Sequence, residues 1–294
     1  MSSEVTGYAI LHLHGADAGD FLRAQLTLNP PLTHEEGHVL AAWCDAKGRA
    51  VCTLRIVAIA DGFLLILPAD LAQTIQQRLR MYILRAQVEV RDATAHWHLS
   101  ALPGTADAAE TKQVDGIVSS SADGDYRLQI DTGGGPGEVL LSAGTPDANA
   151  LPLDSAAWQL AEIDAGLPEI AAATAGMFVP QMLNLHWLGG IDFHKGCYPG
   201  QEVIARLHFR GRLTRRLFRM AWQGQQPAPG DDITDAAGKR QGSVLRAGAA
   251  ATGHGRLLAV LRIDSADTAL HCDAAELSLL DLPYATEAAT TADG

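Results

Sequence analysis

The chain runs to 294 residues, is 47% apolar and carries a formal charge of −12 at pH 7. That length exceeds what one core usually supports, so two or three domains are expected. Such acidity excludes attachment to nucleic acid or anionic membranes through overall charge, so any anion must meet a local cluster of cations. The four cysteines, Cys44, Cys52, Cys197 and Cys272, have no paired spacing, which excludes a disulfide framework or a protein-held iron–sulfur cluster.

The N-terminus "MSSEVTGYAILHLHG" has no basic region ahead of its short apolar stretch. No apolar run reaches the ~20 residues that span a bilayer. A cytoplasmic protein with no membrane partner is expected. "YAILHLHG" reads as a strand and "DAGDFLRAQLT" as a helix capped by Asp17 or Asp20. Residues 38–68 hold three apolar runs broken at Ala46-Lys47-Gly48 and Asp61-Gly62, the signature of an antiparallel meander. A helix over 69–86, with Leu71, Ile75, Leu79, Tyr82 and Ile83 on one face, packs on it, and "QVEVRDAT" returns to strand. Together these make a small α+β layer over residues 1–100.

A second run of strands, "HWHLSALPG", "GIVSSS", "YRLQI" and "GEVLLSAG", precedes a helix from Ser155 to about Ala165. Residues 101–208 are expected to form a second α+β subdomain, possibly intertwined with the first. Short strands over 209–284 suggest a compact β-barrel, and 285–294 a disordered tail.

Several motifs have a plainer reading. "HEEGH" (34–38) matches a zinc-binding pattern that needs a helix, but Gly37 and the strand-like "VLAAWCD" after it favour a loop. "HLH" (12–14) and "HWH" (96–98) pair histidines on strand faces with nothing to unite them, so no metal is expected, and "GGGPG" (133–137), lacking the Lys of a phosphate loop, is a turn. More informative are Arg206, Arg210, Arg212, Arg215, Arg216 and Arg219, six of eighteen arginines within fourteen residues. Guanidinium groups pair with phosphate and carboxylate in bidentate fashion, so this run is the local candidate for an anionic ligand or RNA.

"HKGCYPGQEVIAR" (194–206) places Cys197 between Lys195 and a Pro199-Gly200 turn. The turn holds the thiol at a rim, and Lys195 favours the thiolate if it points to the same side. Spacing alone leaves this reading level with a half-buried packing cysteine.

"KGCYPGQEVIAR" resembles the KGCYxGQE signature of the YgfZ family of folate-binding proteins, whose mitochondrial relatives are iron–sulfur assembly factors. "FLRAQLT" (21–27), "AAWCDAKGR" (41–49), "EIDAGLPEI" (162–170) and "FVPQMLNLHWLGGIDFHKGCY" (178–198) resemble further family blocks in the same order. Pro199 stands where the family more often has Thr, which a turn tolerates. The resemblance implies an α+β fold similar to the aminomethyltransferase of the glycine cleavage system, GcvT: intertwined ferredoxin-like subdomains around a central folate pocket, plus a C-terminal β-barrel.

By the same resemblance the cofactor is tetrahydrofolate or a one-carbon derivative. Asp164 is the expected acceptor for the pteridine N–H groups, since a carboxylate takes two parallel hydrogen bonds. Trp43, Tyr198, Gln181, Asn184 and Gln201 are expected wall residues, with Arg206 available to a polyglutamate tail. The implied role is that of a monomeric accessory to iron–sulfur enzymes or their assembly machinery, tRNA-modifying enzymes among them, with Cys197 and Lys195 as the reactive pair. Classical turnover is not implied. The alternatives are a folate-dependent one-carbon transferase and a tRNA-binding module. Against the transferase, Cys52 and Thr53 stand where the aminomethyltransferase has an Asp pair.

Overall fold

The apolar runs between residues 8 and 68 become strands whose two faces are both buried. The fold is seen in a computed structural model that describes residues 7–33, 37–102, 118–120, 125–131, 136–143, 151–152, 155–265 and 268–286. Most of "HEEGH", most of the Gly-rich turn at 133 and nearly all of the expected tail lie outside the described residues.

The first sheet has the order β2-β3-β4-β1-β5, built from Tyr8–His14 (β1), His38–Cys44 (β2), Ala50–Ile59 (β3), Gly62–Pro68 (β4) and Glu89–Asp92 (β5). Every neighbouring pair is antiparallel, and the meander β2-β3-β4 turns at the two breaks expected from the sequence. Leu11, Leu13, Leu54, Ile56, Leu65 and Leu67 enter one core, shared with Phe21 and Leu22 of α1 (Ala18–Gln25) and Leu71, Ile75 and Leu79 of α2 (Ala69–Tyr82). Their neighbours Ile10, Val57, Leu64 and Ile66 enter a second core on the opposite face. Burial on both faces explains why these strands read as continuous apolar runs rather than alternating ones. The helix expected to run to Ala86 stops at Tyr82, whose side chain is exposed.

The second sheet, β10-β6-β9-β8-β7, comprises His98–Leu102 (β6), Val118–Ser120 (β7), Tyr126–Asp131 (β8), Pro136–Ser142 (β9) and Leu151–Pro152 (β10). Its Leu128, Ile130, Val139 and Leu141 complete the second core, with Trp158 of α3 (Ala156–Asp164) fully buried among them. Ser155 caps α3, its hydroxyl accepting from Trp158 N.

The expected C-terminal barrel is present and closed, in the order β11-β14-β13-β12-β15-β16. Its strands are Arg215–Gln223 (β11), Asp232–Asp235 (β12), Arg240–Ala251 (β13), His254–Arg262 (β14), Leu270–Cys272 (β15) and Ala275–Leu280 (β16). Phe218, Met220, Val244, Leu257, Ala259 and Leu261 fill the closed interior. The barrel docks on α3 through β13, where a side chain at Gly248 would meet Ile163 and Leu160 at 3.1 and 3.2 Å.

One helix was not expected: α4 (Gln201–Arg210) starts directly after the Pro-Gly turn. Ile204 is its buried residue and half-buried Leu207 follows one turn later, a spacing the motif obscures. No described helix is long and apolar enough to cross a membrane.

Candidate functional site

The loop before α4 is anchored at Lys195, Tyr198 and Gly200 and leaves its thiol exposed. Tyr198-Pro199-Gly200-Gln201 closes as a turn, Gln201 N donating to Tyr198 O at 3.2 Å, with Gly200 at φ +78°. A side chain on Gly200 would sit 2.4 Å from Gly48 Cα, so this turn and the β2–β3 turn touch backbone to backbone. Lys195 is buried, and its ammonium donates to the carbonyls of Arg23 and Leu26 where α1 ends. Unpaired helix-terminal carbonyls are natural partners for a cation. The same ammonium lies 4.7 Å over the ring of Tyr198, and the Gln201 amide donates to Lys195 O at 3.2 Å.

Burial pushes the Lys195 ammonium down to about 8, with Asp192 opposing that fall and Arg23 adding to it. Burial likewise raises the Tyr198 phenol. Cys197 is exposed, whereas Cys44, Cys52 and Cys272 are buried. The structure therefore brings Lys195, Tyr198 and Gln201 together as the support of one outward thiol. The contacts of the Lys195 ammonium are carbonyls and an aromatic ring, so it orders the loop.

A second set of groups converges between the two sheets and the barrel. Tyr8, Thr53, Arg55, Glu162, Glu169 and Arg246 line a small central cavity of about 30 Å³. The Tyr8 hydroxyl lies 2.9 Å from Glu162 and 2.5 Å from Glu169. Arg246, reaching in from β13, donates to Glu162 at 3.3 Å and pairs with Glu169 at 3.6 Å, while Arg55 is 3.6 Å from Glu162. Burial raises the Glu169 carboxyl, Arg246 pulls it back, and Glu162 pushes it up again. The Thr53 hydroxyl is engaged, accepting from Ile170 N at 3.1 Å.

An adjoining cavity of about 110 Å³ shares Leu40, Arg55 and Leu167 with the first and adds His38. His38, the last residue of "HEEGH", opens β2 and donates through Nε2 to Gln129 O, 2.8 Å away, while its buried Nδ1 has no partner among the described residues. Burial holds this imidazole down at about 3, helped by Arg55. No three His, Cys, Asp or Glu among the described residues are placed to hold a metal ion.

The remaining expected wall residues are scattered. Asp164 sits at the end of α3 with its carboxylate against Arg219 (3.3 Å) and Arg256 (3.6 Å) of the barrel; Glu162 and Glu169 are the carboxylates that face the cavity. Residues two apart on a helix point about 200° apart, so Glu162 and Asp164 cannot share a side. Trp43 is buried in the first core, its ring edge-on to Tyr82. Asn184 is fully buried, bonded to Leu217 and Tyr284, and joins the barrel to the rest. Gln181 donates to Ile204 O in α4, and Arg206 is exposed. Sequence reasoning missed Arg55 and Arg246, though a charge inside "TLRIV" and "SVLRAG" is a usable signal, because buried strands rarely carry one unpaired.

Three comparisons bear on this arrangement. Residues 214–285 match a family model described as the CAF17 C-terminal beta-barrel domain. The tRNA-modifying protein YgfZ of Pectobacterium atrosepticum is 32% identical over 301 residues, covering 94% of this chain and 89% of the relative. That of Edwardsiella ictaluri is 31% identical over 303 residues, covering 94% and 90%. Among solved structures, the glycine cleavage system aminomethyltransferase T from Bartonella henselae aligns with a TM-score of 0.62 at 18% identity, covering 96% of this chain and 85% of that one. That likeness establishes an aminomethyltransferase-like fold.

Proposed function

The chain belongs to the YgfZ family, and from that premise we propose that it is a folate-binding accessory protein of tRNA modification whose working group is the Cys197 thiol. The observation that carries this reading is the thiol-presenting loop. Four supports, the α1 carbonyls, the Tyr198 ring, the Gln201 amide and the turn at Gly48, hold a backbone whose one exposed reactive side chain is Cys197. A rigidly held, solvent-facing thiol serves as a nucleophile or soft ligand toward a partner, and contributes little to a core. The partners proposed are iron–sulfur enzymes that modify tRNA, or the machinery that assembles them.

Tetrahydrofolate is assigned to the central cavity. Its donor set suits a pterin: Glu162 and Glu169 can accept from the ring amino and N–H groups, and His38 Nδ1 is a buried atom still lacking a partner. The two cavities are smaller than the ~300 Å³ at which small-molecule sites begin. Binding therefore requires the shared wall of Leu40 and Leu167 to move and the cavities to merge. The bound folate would supply one-carbon chemistry or a sensing function; the residues here hold and orient it.

The test is complementation of a strain lacking its own family member, scored by tRNA nucleoside analysis and iron–sulfur enzyme activity. Wild type is expected to restore both and Cys197→Ala to restore neither, with unchanged thermal melting. Full restoration by Cys197→Ala sinks the reading.

A further inference from the structure

An aromatic-lined cleft lies away from the folate cavity, between the 181–193 segment, α4 and the mouth of the barrel. It encloses about 730 Å³, and Gln181, His186, Trp187, Phe193, His208 and Arg216 are the lining groups that matter. Phe193 stacks on His208 with ring centres 3.7 Å apart and planes within 11°, and Trp187 packs on His186 at 4.2 Å. The Arg216 guanidinium lies 4.6 Å over Phe218 and 5.9 Å over Trp187.

Three polar atoms on this wall are buried without a partner among the described residues: Gln181 Oε1, His186 Nδ1 and Arg216 Nε. Gln181 itself is only 3% exposed, and its amide nitrogen is already committed to Ile204 O. Buried polar atoms are almost always satisfied, so three orphans on one wall mark a missing ligand. Together they offer an acceptor, a donor, and a ring nitrogen able to be either, which is the pattern of a nucleobase edge. The aromatic faces supply stacking, which every base accepts.

Charge points to the same occupant. Arg210 and Arg212 flank the lining residue Gly211, are exposed, and like Arg206 make no salt bridge among the described residues. Phe209 beside them is 64% exposed and sits edge-on to Phe193 and His208, extending the aromatic surface. We propose that this cleft binds an unpaired RNA base, with Trp187, Phe193 and His208 as stacking surfaces, the three orphaned atoms on the base edge, and Arg210 and Arg212 on the adjoining phosphates. This deepens the tRNA-related reading above, on which the choice of RNA rests.

The experiment is fluorescence anisotropy with an end-labelled, unstructured RNA oligonucleotide of about ten nucleotides, a length within the site sizes of single-strand binders. Trp187→Leu and His208→Ala are expected to weaken binding about tenfold, a typical loss for one stacking partner. Arg212→Gln should flatten the salt dependence by about one unit of slope. Photocrosslinking of 4-thiouridine RNA to wild-type protein, mapped to peptides holding Trp187 or His208, keeps the test valid should a variant misfold. Binding unaffected by all three changes, no binding by wild type, or crosslinks elsewhere overturns the proposal. Displacement of the RNA by tetrahydrofolate, abolished in Trp187→Leu, overturns it in favour of a folate cleft. The complementation result for Cys197→Ala is independent of each outcome, so this inference and the proposed function fail separately.

Discussion

Asn184→Ala should be among the most damaging single changes in this protein, although the side chain touches neither cavity. Asn184 occupies the left-handed region at φ 60° and ψ 13°, ending the 3-10 turn Pro180–Leu183. Its Nδ2 donates to Leu217 O at 3.1 Å and to the Tyr284 hydroxyl at 3.3 Å, and its Oδ1 accepts from Leu217 N at 3.3 Å. The strand β16 pairs with β11 only from Arg219 onward, so Asn184 acts as the missing neighbour for Leu217. Alanine strips both Leu217 backbone groups of partners, at ~1–3 kcal/mol each. A left-handed alanine adds about 1 kcal/mol. The sum is roughly 3–7 kcal/mol, against the ~0.5–3 kcal/mol of an ordinary substitution. Urea unfolding followed by tryptophan fluorescence should show this loss. Asn184→Gly should recover about 1 kcal/mol of it, because glycine enters the left-handed region freely. A loss under ~1 kcal/mol, or weakened folate binding at unchanged stability, would refute the reasoning.

Three further outcomes are expected. Glu162→Gln should weaken tetrahydrofolate about tenfold or more, the scale of a charged hydrogen bond, while Asp164→Ala leaves calorimetric affinity unchanged; the reverse ranking would restore Asp164 to the pocket. His38 is held near 3 when folded against 6.5 when free, so the unfolded chain binds the extra proton between those values. Its contribution is full above pH 6.5 and is lost as pH falls toward 3, about 2 kcal/mol by pH 5, and His38→Gln should flatten that part of a urea-midpoint profile. Lys195→Met should lower stability by ~1–3 kcal/mol through its abandoned carbonyls, whereas Cys197→Ala should stay within about 0.5 kcal/mol; equal costs would make the thiol a packing group.

The meander β2-β3-β4 was legible because its turns carry Gly at the breaks and its strands are long and apolar. The barrel was legible from short strands at turn-separated intervals. Helix α4 was not, because Pro199-Gly200 reads as a terminator when it is also a start: Gly200 at positive φ begins the helix. The Cys197 loop was readable as a loop, but the direction of Lys195 was not, since the carbonyls it meets lie more than 160 residues away in sequence. Helical phase hid the cavity carboxylates too. "EID" offers Glu162 and Asp164 to opposite sides, and only the docking of α3 between sheet and barrel decides which faces inward.

Apart from Leu217, whose backbone Asn184 completes, the barrel strands pair with one another, yet Arg246 leaves them to neutralise Glu162 and Glu169. The charge dependence this creates runs one way. Freed from its host, a barrel fragment would give Arg246 to water at little cost, because guanidinium is content when solvated. The host without the barrel would keep two buried carboxylates and a tyrosine with Arg55 as the one cation left in the cavity, and Glu169 would be driven to take up a proton. Exchanging barrels among relatives should therefore succeed only where an arginine returns to the position of Arg246.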